Sequence, residues 1–272
     1  MPQRILAQII EQRELTPSHY RLRLAAPEIA QTAKAGQYVH VLPRATHSFD
    51  PLLRRAFSIM RAAEDAIDIL YRIEGRGTAL LARRKAGETI DVLGPLGLPF
   101  APLTTHNILV GGGVGVPPLV LLAAQAVPEV RIQALIGARA ATEIIGQEDF
   151  RDYDVPVEVA TDDGSAGHQG LVTDLLERQL SQSGLTGQGL TVFACGPLPM
   201  LRVVAAMSQR YKVPCQVSLE ENMPCGVGVC NGCVVPVLGA GDDYGNYRRI
   251  CVDGPVLWAN EVNWGHYSGD SC

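Results

Sequence analysis

Over the first hundred residues the apolar positions come in short runs, at residues 5–10, 20–24, 38–42, 56–60 and 66–73. The runs are β-branched, aromatic or alternating in character, and Pro, Gly and Asp separate them. Runs of this length predict strands, and their number predicts an all-β antiparallel barrel. A short helix over residues 78–85 and a last strand near 89–92 complete it. From residue 107 the pattern changes. Strand-length apolar runs at 108–110, 130–136, 155–160, 190–194 and 213–218 alternate with stretches of helical period at 117–126, 171–180 and 199–211. That alternation predicts a doubly wound, five-stranded parallel sheet whose ligands bind beyond the carboxyl ends of the strands. The organisation expected is a barrel over residues 1–100, an α/β domain over 101–219 and a small C-terminal appendage over 220–272.

At 272 residues, 47% of them apolar, the chain is long enough for two ordinary cores plus an appendage. The 23 Lys and Arg against 28 Asp and Glu give a net charge of −5 with no basic block, which argues against nucleic-acid binding. Residues 108–127 carry no charge and have about the length of a membrane span. Four glycines and Pro117-Pro118 interrupt that run, so a strand, a tight turn and a helix start explain it better. The N-terminal residues lack the apolar core of a signal peptide, so a cytoplasmic chain with reduced thiols is expected.

Four of the seven cysteines carry the most specific chemistry. Cys225, Cys230 and Cys233 read C-x4-C-x2-C, and Cys251 follows after an interval of seventeen residues. This is the plant-type ligand spacing of a [2Fe–2S] cluster, with Gly226, Gly228 and Gly232 letting the backbone wrap close to the sulfides. Structural zinc sites pair their cysteines as two short knuckles, which this arrangement does not. Cys195, Cys215 and Cys272 lie outside the constellation and are expected to be packing or unreactive thiols.

Two further sites suggest nucleotides. Arg55-Ala56-Phe57-Ser58 opens a strand with a guanidinium fork for a pyrophosphate, a ring for stacking and a hydroxyl for a flavin nitrogen. Gly75-Arg76-Gly77-Thr78 opens a helix whose free N–H groups suit phosphate, or forms a simple glycine turn capped by Thr78. Gly111 to Gly113, Val114, Gly115, Val116 and Pro117 join the first α/β strand to its helix, as a pyrophosphate loop does. Val116 stands where the six-residue dinucleotide fingerprint needs its last glycine. Arg139 after the second strand is a candidate for a 2′-phosphate or a solvated cation. Cys195-Gly196-Pro197 follows the fourth strand as an elbow. The histidines at 40, 47, 106, 168 and 266 are scattered and form no acid–base constellation for a carbon substrate.

Together these motifs resemble the ferredoxin–NADP reductase superfamily over nearly the whole chain. The segment from Ser218-Leu219-Glu220-Glu221-Asn222-Met223 into the cysteines, then Cys251-Val252-Asp253-Gly254-Pro255, is similar to the electron-transfer subunits of NAD-dependent, class 1B dihydroorotate dehydrogenases. The resemblance implies FAD and a [2Fe–2S] cluster in one subunit, which passes electrons from an FMN-containing catalytic partner to NAD⁺ in pyrimidine biosynthesis. It implies a heterotetramer of two of each chain. Arg55, Ala56, Phe57, Ser58, Leu70, Tyr71, Arg72, Gly77 and Thr78 would then bind FAD. Gly111, Gly113, Gly115, Cys195 and Gly196 would serve NAD, and Cys225, Cys230, Cys233 and Cys251 the cluster. Phe57 stands where the superfamily often has tyrosine, which keeps the stacking and loses a phenolic hydrogen bond. Tyr244, Tyr247, Trp258 and Trp264 are candidate partner anchors. The competing readings are a diaphorase subunit of another flavin complex, and a redox sensor without turnover.

Overall fold

The computed structural model describes residues 2–44, 48–182, 189–239 and 246–266. Six strands close the expected barrel: β1 (Gln3–Thr16), β2 (His19–Ala25), β3 (Tyr38–Leu42), β4 (Arg55–Ala63), β5 (Ala66–Arg72) and β6 (Thr89–Leu96). They pair antiparallel in the order β1-β2-β5-β4-β3-β6. β1 runs well past the apolar stretch because residues 11–16 pair with β2 through two irregularities while facing solvent or a half-buried rim. Periodicity alone has no reason to extend a strand there. Helix α1 (Pro27–Ala30) plugs one end of the barrel with buried Ile29. Helix α2 (Arg76–Leu81) starts two residues before its expected position. The Thr78 hydroxyl accepts from the Gly75 and Glu74 amides at 3.2 and 3.0 Å, so the N-terminus is fixed at Gly75.

The second half builds the expected parallel sheet from β7 (His106–Gly112), β8 (Arg131–Ala138), β9 (Val157–Thr161), β11 (Leu190–Cys195) and β12 (Cys215–Ser218). Two short strands extend it: β10 (His168–Gln169) on one edge and β15 (Val256–Trp258), antiparallel to β12, on the other. Helices α3 (Pro117–Ala124), α5 (Val172–Gln182) and α6 (Leu198–Tyr211) pack on its faces, and a short α4 (Gln147–Arg151) precedes β9. α3 is buried along almost its whole length, which is why the apolar stretch of residues 108–127 reads like a membrane span; no helix among the described residues is long and apolar enough to cross one. The cysteine segment forms the hairpin β13 (Val234–Pro236) and β14 (Tyr247–Arg249), runs into α7 (Ile250–Asp253), and returns as β15.

Two cores hold these parts together. One joins the barrel interior to α3 and one face of the sheet; the other joins the opposite face to the cysteine segment, with Tyr38, Val217, Cys233 and Cys251 in one cluster. An ion network crosses from barrel to sheet domain: Arg21 and Arg61 both donate to Asp149 of α4, at 3.0 and 2.6 Å, and Arg21 also pairs with buried Asp68. Gln125 clasps the barrel by accepting from Ala35 N at 3.1 Å and donating to Ala33 O at 3.2 Å.

Candidate functional site

A cavity of about 620 Å³ opens where barrel, sheet and cysteine segment meet. Residues 53–58, 70–72 and 74–78 line it from the barrel, Val114, Gly115 and Cys195 from the sheet, and residues 218–224 from the approach to the cysteines, with Tyr38 and Pro255 between. The volume lies in the range of cofactor clefts. Of the residues expected to hold a flavin, Arg55, Ala56, Phe57, Ser58, Leu70, Tyr71, Arg72, Gly77 and Thr78 all line this wall.

The wall suits a dinucleotide carrying an aromatic ring. Arg55 makes no ion pair among the described residues; its Nη1 donates only to the carbonyls of Leu53 and Arg54, at 2.9 and 3.1 Å. Its neighbours are committed elsewhere, Arg54 to Asp91 at 2.7 Å and Arg76 to Asp50 at 2.5 Å. A Cβ on Gly77 would lie 2.9 Å from Arg55 Nε, so glycine there lets the guanidinium rest against the first turn of α2. A cation beside free helix amides is the environment a pyrophosphate requires. Phe57 and Tyr71 supply the aromatic surface, their rings 5.4 Å apart and tilted, with the Tyr71 hydroxyl held by Gln12 Nε2 at 2.7 Å.

On the sheet side Gly115 and Cys195 line the cavity, whereas Gly111, Gly113 and Gly196 do not; they shape the loops behind it. A Cβ on Gly115 would collide with the Cys195 carbonyl, and one on Gly196 would come 3.0 Å from Gly112 N. The carboxyl ends of β7 and β11 therefore interlock through backbone alone, leaving a shelf beside the flavin wall. Burial pushes the Cys195 thiol up to about 12, so this sulfur is a packing group rather than a thiolate. Burial, and then Glu74, push Glu220 up on the same shelf, against the opposing pull of Arg72.

The four expected ligands form two pairs. Cys225 lies beside Cys230 on an outer loop, close enough that the Cys230 thiol lowers it, and Cys251 lies beside Cys233 beneath, where burial and then the neighbouring sulfur raise it. The inner pair is held by backbone: Ile250 N donates to Cys233 O at 3.0 Å, and Cys251 N donates to Cys233 Sγ at 3.4 Å. No three His, Cys, Asp or Glu side chains among the described residues converge as a single ion would need. Two pairs suit a dinuclear cluster, which takes two thiolates on each iron. Partial burial raises the Cys225 thiol, but backbone amides of Val227, Cys230 and Val229, with the Cys230 thiol, pull it down to about 6 overall. Amides aimed at a sulfur are what a bound thiolate requires. Gly226 and Gly228 adopt left-handed φ of +70° and +77°; Gly232 does not, and Asn231 at +54° takes the third left-handed position expected of it.

Tyr38 and His40 were not legible as site residues. Both sit on one face of β3, and their alternation reads simply as a strand. The Tyr38 hydroxyl donates to Cys251 O at 3.0 Å and Gly226 O at 3.3 Å, while its ring lines the cavity. Burial, and then the charges of Cys251, Cys233 and Cys225, keep that phenol protonated. Burial and then Arg54 lower His40 to about 4, keeping it neutral. Leu53 and Arg54 carry no motif of their own, while Val114 and residues 218–223 lie in segments singled out in the sequence without a cavity role assigned to them. His47, Tyr244 and Cys272 lie outside the described residues.

Residues 220–263 match the family described as the iron-sulfur cluster binding domain of dihydroorotate dehydrogenase B. Over 262 residues the chain is 40% identical to the dihydroorotate dehydrogenase B (NAD(+)) electron transfer subunit of Geobacillus kaustophilus, covering 93% of this chain and 96% of that protein. Identity to the protein of the same name from Desulforamulus reducens is 36% over 258 residues, with coverage of 92% and 94%. Among solved structures, one of the NADH-dependent reduced ferredoxin-NADP oxidoreductase, described in terms of flavin-based electron bifurcation, superposes with a TM-score of 0.82 at 28% identity, covering 96% and 91% of the two chains. A ferredoxin NADP+ reductase from Neisseria gonorrhoeae with bound FAD and NADP shares the fold, with a TM-score of 0.61 at 18% identity and coverage of 77% and 91%.

Proposed function

The chain belongs to the electron-transfer subunits of dihydroorotate dehydrogenase B (NAD(+)), and on that premise we propose that it carries electrons from a dihydroorotate-oxidising partner to NAD⁺ through a [2Fe–2S] cluster and FAD, in pyrimidine biosynthesis. The observation that carries this reading is the junction of cavity and cysteine loop. Met223 and Pro224 line the cavity, and Cys225 is the next residue. Bound there, a flavin exchanges electron pairs with nicotinamide and single electrons with an iron–sulfur centre.

The chain's own residues divide the work. Arg55 with Gly77 and Thr78 binds the pyrophosphate. Phe57, Ser58 and residues 70–72 orient the ring system, and the shelf of Gly115 and Cys195, braced by Gly111, Gly113 and Gly196, receives the nicotinamide. Cys225, Cys230, Cys233 and Cys251 hold the cluster, and Tyr38 ties their loop to the flavin wall. The working units are residues 1–100 for FAD, 101–219 for NAD and 220–272 for the cluster, with β15 returning from the last unit to the sheet of the second. Among the described residues no histidine lines the cavity.

That polypeptide carries FMN, and two copies of each chain form a cytoplasmic heterotetramer. Val227 and Val229 on the outer cysteine loop, with Leu238 and Tyr247 beside it, are exposed apolar groups suited to such a contact. Trp264 instead spends its Nε1 on Ala259 O at 2.7 Å, which assigns it to packing. The purified chain is expected to reduce ferricyanide with NADH and to leave dihydroorotate untouched, and addition of the partner is expected to couple dihydroorotate oxidation to NAD⁺ reduction. Oxidation of dihydroorotate by this chain alone, or NAD⁺-linked turnover by the partner without it, overturns the reading.

A further inference from the structure

We propose that His40 donates a hydrogen bond from its ring to a sulfur of the iron–sulfur cluster and thereby raises the reduction potential of that centre. The inference rests on the cluster reading above and adds to it a barrel residue outside the cysteine segment.

His40 lies in the middle of β3 with a relative exposure of 0%. Neither Nδ1 nor Nε2 has a hydrogen-bond partner among the described residues. That is unusual for a buried polar group, since such atoms are nearly always satisfied. The other buried histidine among the described residues shows the ordinary outcome: His19 Nδ1 meets the Thr16 hydroxyl at 2.8 Å. An imidazole always carries at least one N–H, so the His40 ring holds a donor whose acceptor is still to be named.

The ring's surroundings name it. A Cβ built on Gly226 would lie 2.6 Å from His40 Nδ1 and 2.8 Å from Nε2, so the backbone immediately after Cys225 rests on the ring. Only a residue without a side chain fits, and its φ of +70° demands the same. The carbonyls nearby already have a donor, because Tyr38, two residues earlier on the same face and 5.5 Å away ring to ring, donates to Gly226 O and Cys251 O. His40 does not line the flavin cavity, so the cofactor there is no candidate. Gly226 follows Cys225 directly in the chain, so the acceptor assigned to the ring is sulfur, of that cysteine or of the cluster it would hold. A cluster sulfide or an iron-bound cysteine thiolate would be a better acceptor than a free thiol. A reduced cluster carries one more negative charge than an oxidised one, so a donor to its sulfur favours the reduced form.

The test uses the whole chain with FAD and cluster, in complex with its catalytic partner. Protein labelled with ¹⁵N only at histidine is reduced, and pulsed electron paramagnetic resonance of the cluster is searched for ¹⁵N coupling. Coupling is expected in the unmutated protein and is expected to vanish in His40→Leu, which keeps the bulk and removes the donor. In a redox titration His40→Leu should shift the cluster's reduction equilibrium about tenfold toward the oxidised form, or about 59 mV for a one-electron couple. His40→Gln, which retains an N–H, should shift it less, and His266→Ala should not shift it. Absence of histidine coupling in the unmutated protein overturns the proposal even if His40→Leu assembles no cluster. Coupling that survives in His40→Leu, or an unchanged potential, overturns it as well. Absence of any iron–sulfur resonance in the unmutated protein would instead remove the cluster reading on which the proposal stands.

Discussion

The two halves of the cysteine site are built differently. Cys233 and Cys251 are 2% and 1% exposed and belong to a core with Leu219, Val235 and Ile250. Cys225 is half-buried and Cys230 exposed, on a loop flanked by Val227 and Val229, the latter 78% exposed. The inner pair is buried between strand and helix, whereas the outer pair lies on a loop of left-handed backbone positions that Tyr38 and Arg249 hold by hydrogen bonds to Gly226 O and Gly228 O. A centre that receives electrons from another protein must be anchored on one side and reachable on the other. Full burial would lengthen the transfer path, and full exposure would surrender control of the potential. The floor therefore packs beneath Tyr38, and the lip reaches solvent at Cys230 and Val229.

The largest expected effect tests that contrast directly. Serine at any of Cys225, Cys230, Cys233 or Cys251 should abolish the visible iron–sulfur spectrum, while serine at Cys195 or Cys215 should retain it. The variants should then separate in stability. Cys251→Ser places a hydroxyl in an apolar core at a cost of about 1–3 kcal/mol, or several degrees in Tm, whereas Cys230→Ser should melt with the cluster-free parent. Equal melting losses at Cys230 and Cys251 would erase the distinction between lip and floor.

Next in size, Arg55→Ala should weaken FAD binding about ten- to a hundredfold, read from fluorescence of the released flavin, because a charge-assisted contact is lost. The iron–sulfur spectrum should persist; its loss would mean that the barrel wall and the cysteine site do not fold independently. Smaller again, Val229→Asp should weaken association with the catalytic partner about tenfold, about 1.4 kcal/mol, while NADH-driven ferricyanide reduction stays unchanged. An unaffected complex would show that the lip is not the contact. Tyr38→Phe removes one hydroxyl shared by two carbonyls, and thermal melts should show a loss of about 0.5–1.5 kcal/mol with both cofactors retained.

What the sequence determined by itself is what depends on near neighbours along the chain. Period-two runs declared the barrel strands, and strand–helix alternation declared the parallel sheet. The interval from Cys225 to Cys233 declared an iron–sulfur ligand set, because ligands a few residues apart must share one turn of backbone. Arg55 to Ser58 was legible for the same reason, as a strand opening with its chemistry in four consecutive residues. Tertiary structure alone decided the rest. The segment after Cys251 returns as an edge strand on β12 because that edge was open, a fact absent from the local pattern of residues 256–258. The glycines at 111, 113 and 196 carry a nucleotide motif yet stand behind the cavity wall, since which loop residue faces inward depends on how β7 and β11 interlock. Tyr38 and His40 look like any alternate pair in a strand. They acquire their place only when residues nearly two hundred positions away fold against them, because burial and hydrogen bonding across such distances are properties of the packed chain and leave no periodicity to read.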